Sequence, residues 1–280
     1  MLQVSSELIR SRRSVRTFDD CALRADHLDQ IREFMAEIPN PYGIPVEFRL
    51  LDAQQYGLSS PVLNRAETYV AAKVRRVPHA EEAYGYSFET LVLFAESLGI
   101  GTVWIGGTMN RPAFETAMEL KPDEMMPCVS PLGYAAKKMS LRETMMRKGV
   151  RADWREDGGS MFFDGSFDAP LTEEKAGALR EALEAVRWAP SAVNKQPWRV
   201  VVAGDKVHFY EKKTKGYVSD ATGDLQKIDV GIALCHFDLM CRAAGRAPVF
   251  VIDDPGLRTE EDTEYIATYD LHKQQEGERT

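Results

Sequence analysis

WAPSAVNKQPWRVVV, residues 188–202, joins an amphipathic helix to an apolar strand through a connection crowded with special residues. Two prolines, Pro190 and Pro197, fix φ and remove backbone donors. Ser191, Asn194 and Gln196 add side-chain hydrogen-bonding groups that a simple helix–strand turn does not need. The stretch therefore reads as a loop built to face something.

Working outward, the preceding segment Leu171–Val186 carries Ala176, Leu179, Leu183 and Val186 at helical spacing, with Thr172 as a candidate N-cap. An earlier segment, Leu23–Ile38, has the same pattern through Leu28, Ile31, Met35 and Ile38. Ile31-Arg32-Glu33 overlies Leu179-Arg180-Glu181, and each helix is followed by a proline and a strand, at 45–51 and at 197–202. Further on, a helix over 87–98 ends at Gly99 and one over 228–244 ends at Gly245, both candidate C′ glycines. Strands are expected at 102–105, 248–252 and 265–269. The chain reads as two related halves, 1–163 and 164–280. The helix–strand connection has six residues in the first (39–44) and ten in the second (187–196), so the opening stretch contains four that its sister lacks.

With 280 residues, 44% hydrophobic and 28% charged, the chain has an ordinary globular composition. A net charge of −8 argues against a nucleic-acid binder, whose affinity rests on cations meeting phosphates. No apolar run approaches a membrane span, and the N-terminus carries Glu7 and four arginines but no apolar h-region, so no signal peptide is expected. A cytoplasmic, reduced protein is expected. The four cysteines fit no metal spacing and read as small buried hydrophobes. The acidic pairs Glu81-Glu82 and Glu260-Glu261 read as solvated faces, and the five scattered histidines as surface or structural residues.

Arg10-Ser11-Arg12-Arg13-Ser14-Val15-Arg16 concentrates four cations and two hydroxyls, a donor set suited to phosphate or to a plain basic patch. Gly99-Ile100-Gly101-Thr102-Val103-Trp104 starts like a dinucleotide-binding loop, but Trp104 stands where a third glycine is required and the segment follows a helix. Gly106-Gly107 fits better as bare backbone that a planar ligand can approach. No GxSxG, Walker A or HExxH pattern occurs, so no side-chain nucleophile or metal centre is expected.

Together, Arg12–Arg16, the APSAVNKQPW loop at 189–198, GIGTVWIGG at 99–107 and Leu132-Gly133-Tyr134 resemble the nitroreductase family of FMN-dependent oxidoreductases. In the usual member, one shorter chain carries the arginine motif and, soon after it, the Pro-Ser-x-x-Asn loop, and two chains intertwine around two FMN sites. Here the motif and the loop lie roughly 175 residues apart, one in each half. The resemblance is thus to a fused, duplicated subgroup of the kind first seen in thermophilic bacteria (Thermotoga-type). It implies an α+β fold (an α/β/α sandwich with mainly antiparallel sheets), a single-chain pseudo-dimer with one complete flavin site.

What the resemblance implies for residues follows. Arg12, Arg13, Ser14 and Arg16 would hold the FMN phosphate and ribityl end, with Arg155 (or Arg151) as a late phosphate ligand. Pro190, Ser191, Asn194 and Gln196 would line the flavin ring, Ile105, Gly106 and Gly107 would lie beside it, and Lys73 would reach its pyrimidine edge. The implied activity is NAD(P)H oxidation, with NADH or NADPH as donor, and ping-pong hydride transfer through flavin N5 to a nitroaromatic, a quinone or a related small acceptor. Two alternatives remain: a flavin-storage protein, if Trp104 or Tyr134 closes the ring's open face, and a specialised flavin-fragmenting or dehalogenating member. The small-molecule acceptor is the expected partner, with no nucleic acid or membrane, and the chain is expected to be a monomer or a weak homodimer.

Overall fold

The computed structural model describes residues 2–272. The first half contains α1 (Ser6–Ser11), α2 (Ala25–Met35), β1 (Val46–Asp52), α3 (Ala53–Tyr56), β2 (Thr68–Arg75), α4 (Ala80–Ser97), α5 (Arg111–Ala117), β3 (Glu124–Met125), β4 (Val129–Leu132) and α6 (Leu141–Gly149). The second contains β5 (Phe162–Asp164), α7 (Glu173–Ala176), α8 (Arg180–Trp188), β6 (Trp198–Ala203), β7 (Lys206–Lys212), β8 (Val218–Ser219), β9 (Gly223–Asp224), α9 (Leu225–Ala243), β10 (Val249–Val251) and β11 (Thr263–Asp270).

Each half builds one mainly antiparallel sheet. In the first, β2 pairs with β1, β3 and β4, and residues 101–105 extend it through the bridges Gly101↔Gly133 and Ile105↔Val129. In the second the order is β10-β11-β7-β6-β5. Matching β6 with β1, β7 with β2, β11 with β4 and β10 with 101–105 gives the same strand order twice. The parallel pairing of β5 with β6 (Phe162↔Val200) has no counterpart on the first sheet among the described residues. The expected half boundary at 163/164 falls inside β5.

Between the sheets, α4 and α9 cross. Both are buried almost all round, as expected of helices apolar on every face. A Cβ on Gly85 would overlap the carbonyl of Ile228, and one on Gly231 would overlap that of Glu82. Each glycine thus meets the residue three positions before the other, the signature of a two-fold relation. Gly85 and Gly231 are 146 positions apart, as are the helix-ending Gly99 and Gly245, whose φ values are +74° and +75°. The internal duplication is real in three dimensions.

Several sequence expectations are adjusted. The helix expected over 171–186 is broken: after α7, Gly177 takes φ 49° and ψ −123°, a backbone foreign to an α-helix, and a 3₁₀ turn leads into α8. Thr172 does cap α7, its Oγ accepting from Lys175 N. Cys21 is exposed, whereas Cys128, Cys235 and Cys241 are buried. Glu82 lies in the helix crossing at 1% exposure rather than on a solvated face. Among the described residues, no helix is long and apolar enough to cross a membrane.

Candidate functional site

Ser5 caps α1, and the chain leaves that helix at Arg12 in an extended conformation. Gly101 and Gly133 let the arginine segment lie flat on the first sheet. A Cβ on Gly101 would come within 2.8 Å of Val15, and one on Gly133 within 2.7 Å of Phe18. Val15 N donates to Thr102 O at 2.9 Å, and Ser14 bridges Thr102. The GxG of the sequence therefore serves the approach of the arginine segment.

Arg12 is driven inward to 8% exposure, with its Nε 3.9 Å from Glu89 Oε1. Its Nε and Nη1 have no hydrogen-bond partner, an arrangement that costs free energy unless an acceptor arrives. Arg13 reaches Glu143 Oε1 at 3.3 Å. Burial lowers the Arg16 pKa, with Glu143 opposing and Arg147 reinforcing that shift. Arg155 is pushed down to about 10, first by burial and then by the nearby charge of Arg12. Its Nε is likewise unpartnered, and its guanidinium lies 4.7 Å above the Trp188 ring. Arg12, Arg16, Arg147 and Arg155 thus lie close enough to influence one another; Glu89, Glu143 and Asp153 stand among them, but the unpartnered edges of Arg12 and Arg155 leave donors free for an anion. Arg147, which sequence reasoning missed, is held by Asp153.

The loop after α8 carries three non-glycine residues in the left-handed region: Val193 (φ 51°), Asn194 (φ 58°) and Gln196 (φ 51°). Such conformations cost about 1–2 kcal/mol per residue, most for a β-branched side chain, so surrounding bonds must hold them. Ala192 N donates to both carboxylate oxygens of Asp229, at 3.1 and 3.0 Å. Ser191 Oγ accepts from Gln196 N at 2.9 Å. Asn194 Nδ2 donates to the carbonyls of Arg151 and Trp154, and Gln196 Oε1 accepts from Glu156 N. These last bonds tie the loop to the segment carrying Arg155, while Trp188 at the head of the stretch stacks with that arginine. The arginine motif, residue 155 and the 188–198 loop are therefore brought together across the two halves. Gln196 is 1% exposed and joins segments of the chain.

Ile105 is buried and bridged to Val129. Gly106 turns under three bonds from Arg111, whose guanidinium donates to the carbonyls of Gly106, Met126 and Pro127. A Cβ on Gly106 would lie 3.2 Å from Cys128 Sγ and 3.7 Å from Leu225, while one on Gly107 would meet nothing within 4 Å. Leu225 opens α9 and Asp229 lies one turn later, so the Gly106 turn and the 190–196 loop flank the same end of one helix. Lys73 is not brought into this group. Its ammonium sits 3.0 Å from Glu124 and 3.4 Å from Glu47 at the opposite edge of β2. Trp104 Nε1 donates to Glu89 at 2.9 Å, and Tyr134 bonds His27, so each aromatic is committed to a partner of its own.

The strands and helices also bury acids that sequence reasoning passed over. Asp229 is fully enclosed, and burial holds its carboxyl well above the usual range. Glu211, with both oxygens unpartnered, is pushed up to about 7 by burial and then by Asp224. In the sister half their places are taken by Ala83 (146 positions earlier than Asp229) and Val74, since Val46 pairs with Val74 as Trp198 pairs with Glu211. Glu89 and His236 meet at 2.9 Å in the interior, and their two-fold counterpart is the 3.3 Å contact of Cys235 with Thr90. His236 Nδ1 faces the Ala185 carbonyl, which can only accept. Polar residues inside otherwise apolar helices and strands were the available signal.

No curated protein matches the chain. Among solved structures, a putative nitroreductase from Thermotoga maritima superposes with a TM-score of 0.63 at 21% identity, covering 98% of this chain and 96% of that one. An FMN-dependent nitroreductase from Clostridium difficile is 18% identical, with a TM-score of 0.40, covering 50% of this chain and 94% of its own. A nitroreductase with bound FMN from Bacteroides fragilis is 22% identical, with a TM-score of 0.38, covering 48% and 90%. The family profile described as "Putative TM nitroreductase" matches residues 5–241, and the chain belongs to that family.

Proposed function

We propose that the protein is an FMN-dependent NAD(P)H oxidoreductase that reduces nitroaromatics, quinones or related small acceptors. The observation that carries this reading is the buried, unpartnered guanidinium edge of Arg12 near Arg155, whose own segment is tied by Asn194 and Gln196 to a strained loop contributed by the other half. Arg12, Arg13, Arg16 and Arg155 would hold the phosphate, and Ser14 would add a donor. Pro190, Ser191 and Asn194 would flank the ring from one side, and Ile105, Gly106 and Gly107 from the other. Gln196 acts through the loop it braces, and Lys73, already neutralised by two carboxylates, stands outside this set. FMN, when bound, supplies the capacity to take a hydride from NADH or NADPH and pass it on. The chain's contribution is orientation: preset backbone donors, cations at the phosphate end, and bare glycine backbone where a flat acceptor enters.

Purified protein is expected to be yellow, to bleach anaerobically with NADH or NADPH, and to regain colour with a nitroarene or menadione. A protein that takes up no flavin overturns the reading. Arg12→Ala removes a charge-assisted contact worth about 1.5–3 kcal/mol, so FMN retention should fall by at least roughly tenfold. A thermal melt of the same variant separates that loss from unfolding.

A further inference from the structure

The two sheets end differently at equivalent strands. In the second sheet β5 covers the edge of β6: Val200 N donates to Met161 O and Gly165 N to Val202 O, both at 2.8 Å. Val46 stands where Trp198 does, so Phe48 and Leu50 take the places of Val200 and Val202. Ala53 N donates to Glu67 O in continuation of the β1–β2 register, so Glu47, Arg49 and Leu51 turn their backbone groups towards β2. Those of Val46, Phe48 and Leu50 point away from the sheet, and among the described residues they have no hydrogen-bond partner. The side chains follow suit. Trp198, Val200 and Val202 are buried, whereas Val46, Phe48 and Leu50 are only half-buried.

Open strand edges are normally blunted by shortness, proline or a bulge. The outer strand of the second sheet, β10, has three residues and follows Pro248. The far side of the first sheet is covered by the arginine segment, where Val15 N meets Thr102 O. By contrast, β1 has seven residues, pairs with β2 in unbroken register, and contains neither proline nor glycine.

We propose that β1 pairs antiparallel with β1 of a second copy of this chain, centred on Phe48, joining the two first-half sheets into one. In this register the outward N–H and C=O groups of Val46, Phe48 and Leu50 all meet partners. Phe48 faces the partner's Phe48, and Val46 and Leu50 face each other twice, which covers the half-buried apolar side. On the other face Glu47 and Arg49 oppose each other twice. They already meet at 3.0 Å within one chain, so the four charges close into a ring. Centring on Arg49 would set that arginine against itself, and centring on Glu47 would oppose two carboxylates, both unfavourable. The charges of β1 thus select one self-pairing, and a two-fold axis makes each contact twice. A strand of unrelated sequence would have to supply an acid opposite Arg49 and a base opposite Glu47; a second copy supplies both.

The test is sedimentation velocity of the full chain from micromolar to near-millimolar concentration. The parent should pass reversibly from monomer to dimer over that range. Arg49→Glu, which opposes carboxylates on both sides of the axis, should weaken association at least about tenfold. The double variant Glu47→Arg/Arg49→Glu restores both pairs in reverse and should return to within about threefold of the parent. A parent that stays monomeric, or a double variant no tighter than Arg49→Glu alone, overturns the proposal. Thermal melts show whether each variant folds. Should one fail, amide exchange of the parent decides instead: the Phe48 and Leu50 amides should exchange about tenfold more slowly at the high concentration than at the low. Exchange at those amides that does not depend on concentration overturns the proposal. Loss of their protection in a chain ending at residue 272 would then assign the edge to the chain's own tail.

Discussion

Glu211 and Val74 occupy the same position in two sheets of the same design, yet one is a carboxyl and the other an apolar side chain. Glu211 is fully buried, and its pKa stands at about 7 against an ordinary 4.5. The folded state therefore holds its proton more tightly than the unfolded chain does. Stability from this group is present below about pH 4.5, falls as pH rises towards 7, and is flat above that. Glu211→Gln removes the dependence. Between pH 4.5 and pH 8 the stability gap between variant and parent should shift by about 3 kcal/mol in the variant's favour. Urea denaturation at the two pH values measures it, and parallel behaviour of the two proteins would refute it. This carboxyl was hard to read in advance because a sequence pattern gives the face of a strand, not its depth. Lys73 illustrates the same limit, since its neighbours Glu47 and Glu124 come from elsewhere in the sheet.

At the scale of elements, the crossing of α4 and α9 depends on two glycines. Gly85→Ala or Gly231→Ala would force backbone apart, and each should destabilise by roughly 3 kcal/mol. Gly149→Ala, with open space around it, should stay within about 0.5 kcal/mol. Thermal melts of the three variants give the comparison, and equal melting temperatures would remove the crossing from the account. Much of the element layout was legible, because Gly99 and Gly245 end their helices through a backbone that only glycine adopts easily. The paired helix–proline–strand runs were legible for the same local reasons. The break at Gly177 was not, since one glycine within an apolar period does not by itself announce a turn.

For the molecule as a whole, the two-fold relation predicts where a second site would lie and what occupies it. The sister loop at 39–44 places Tyr42 with its ring 5.3 Å from His79, stacked, and 4.7 Å from Phe250, edge-on. Phe250 stands 146 positions after Trp104, so the chain's own rings fill that place. Nor does the second half carry an arginine cluster around 160–167. Flavin released by heat and measured against protein should approach one per chain; a ratio near two would disprove the asymmetry.

The strand β5 and the crossing helices join halves that, as separate chains, would have to be identical. An interface between two copies of one gene product obliges every substitution to be tolerated twice, once on each side of the axis. A single continuous chain lifts that obligation and also keeps the two faces at an effective concentration in the millimolar range, whatever the dilution. One half was thus free to keep the cationic grip and the other to elaborate the loop, a division of labour closed to a symmetric pair.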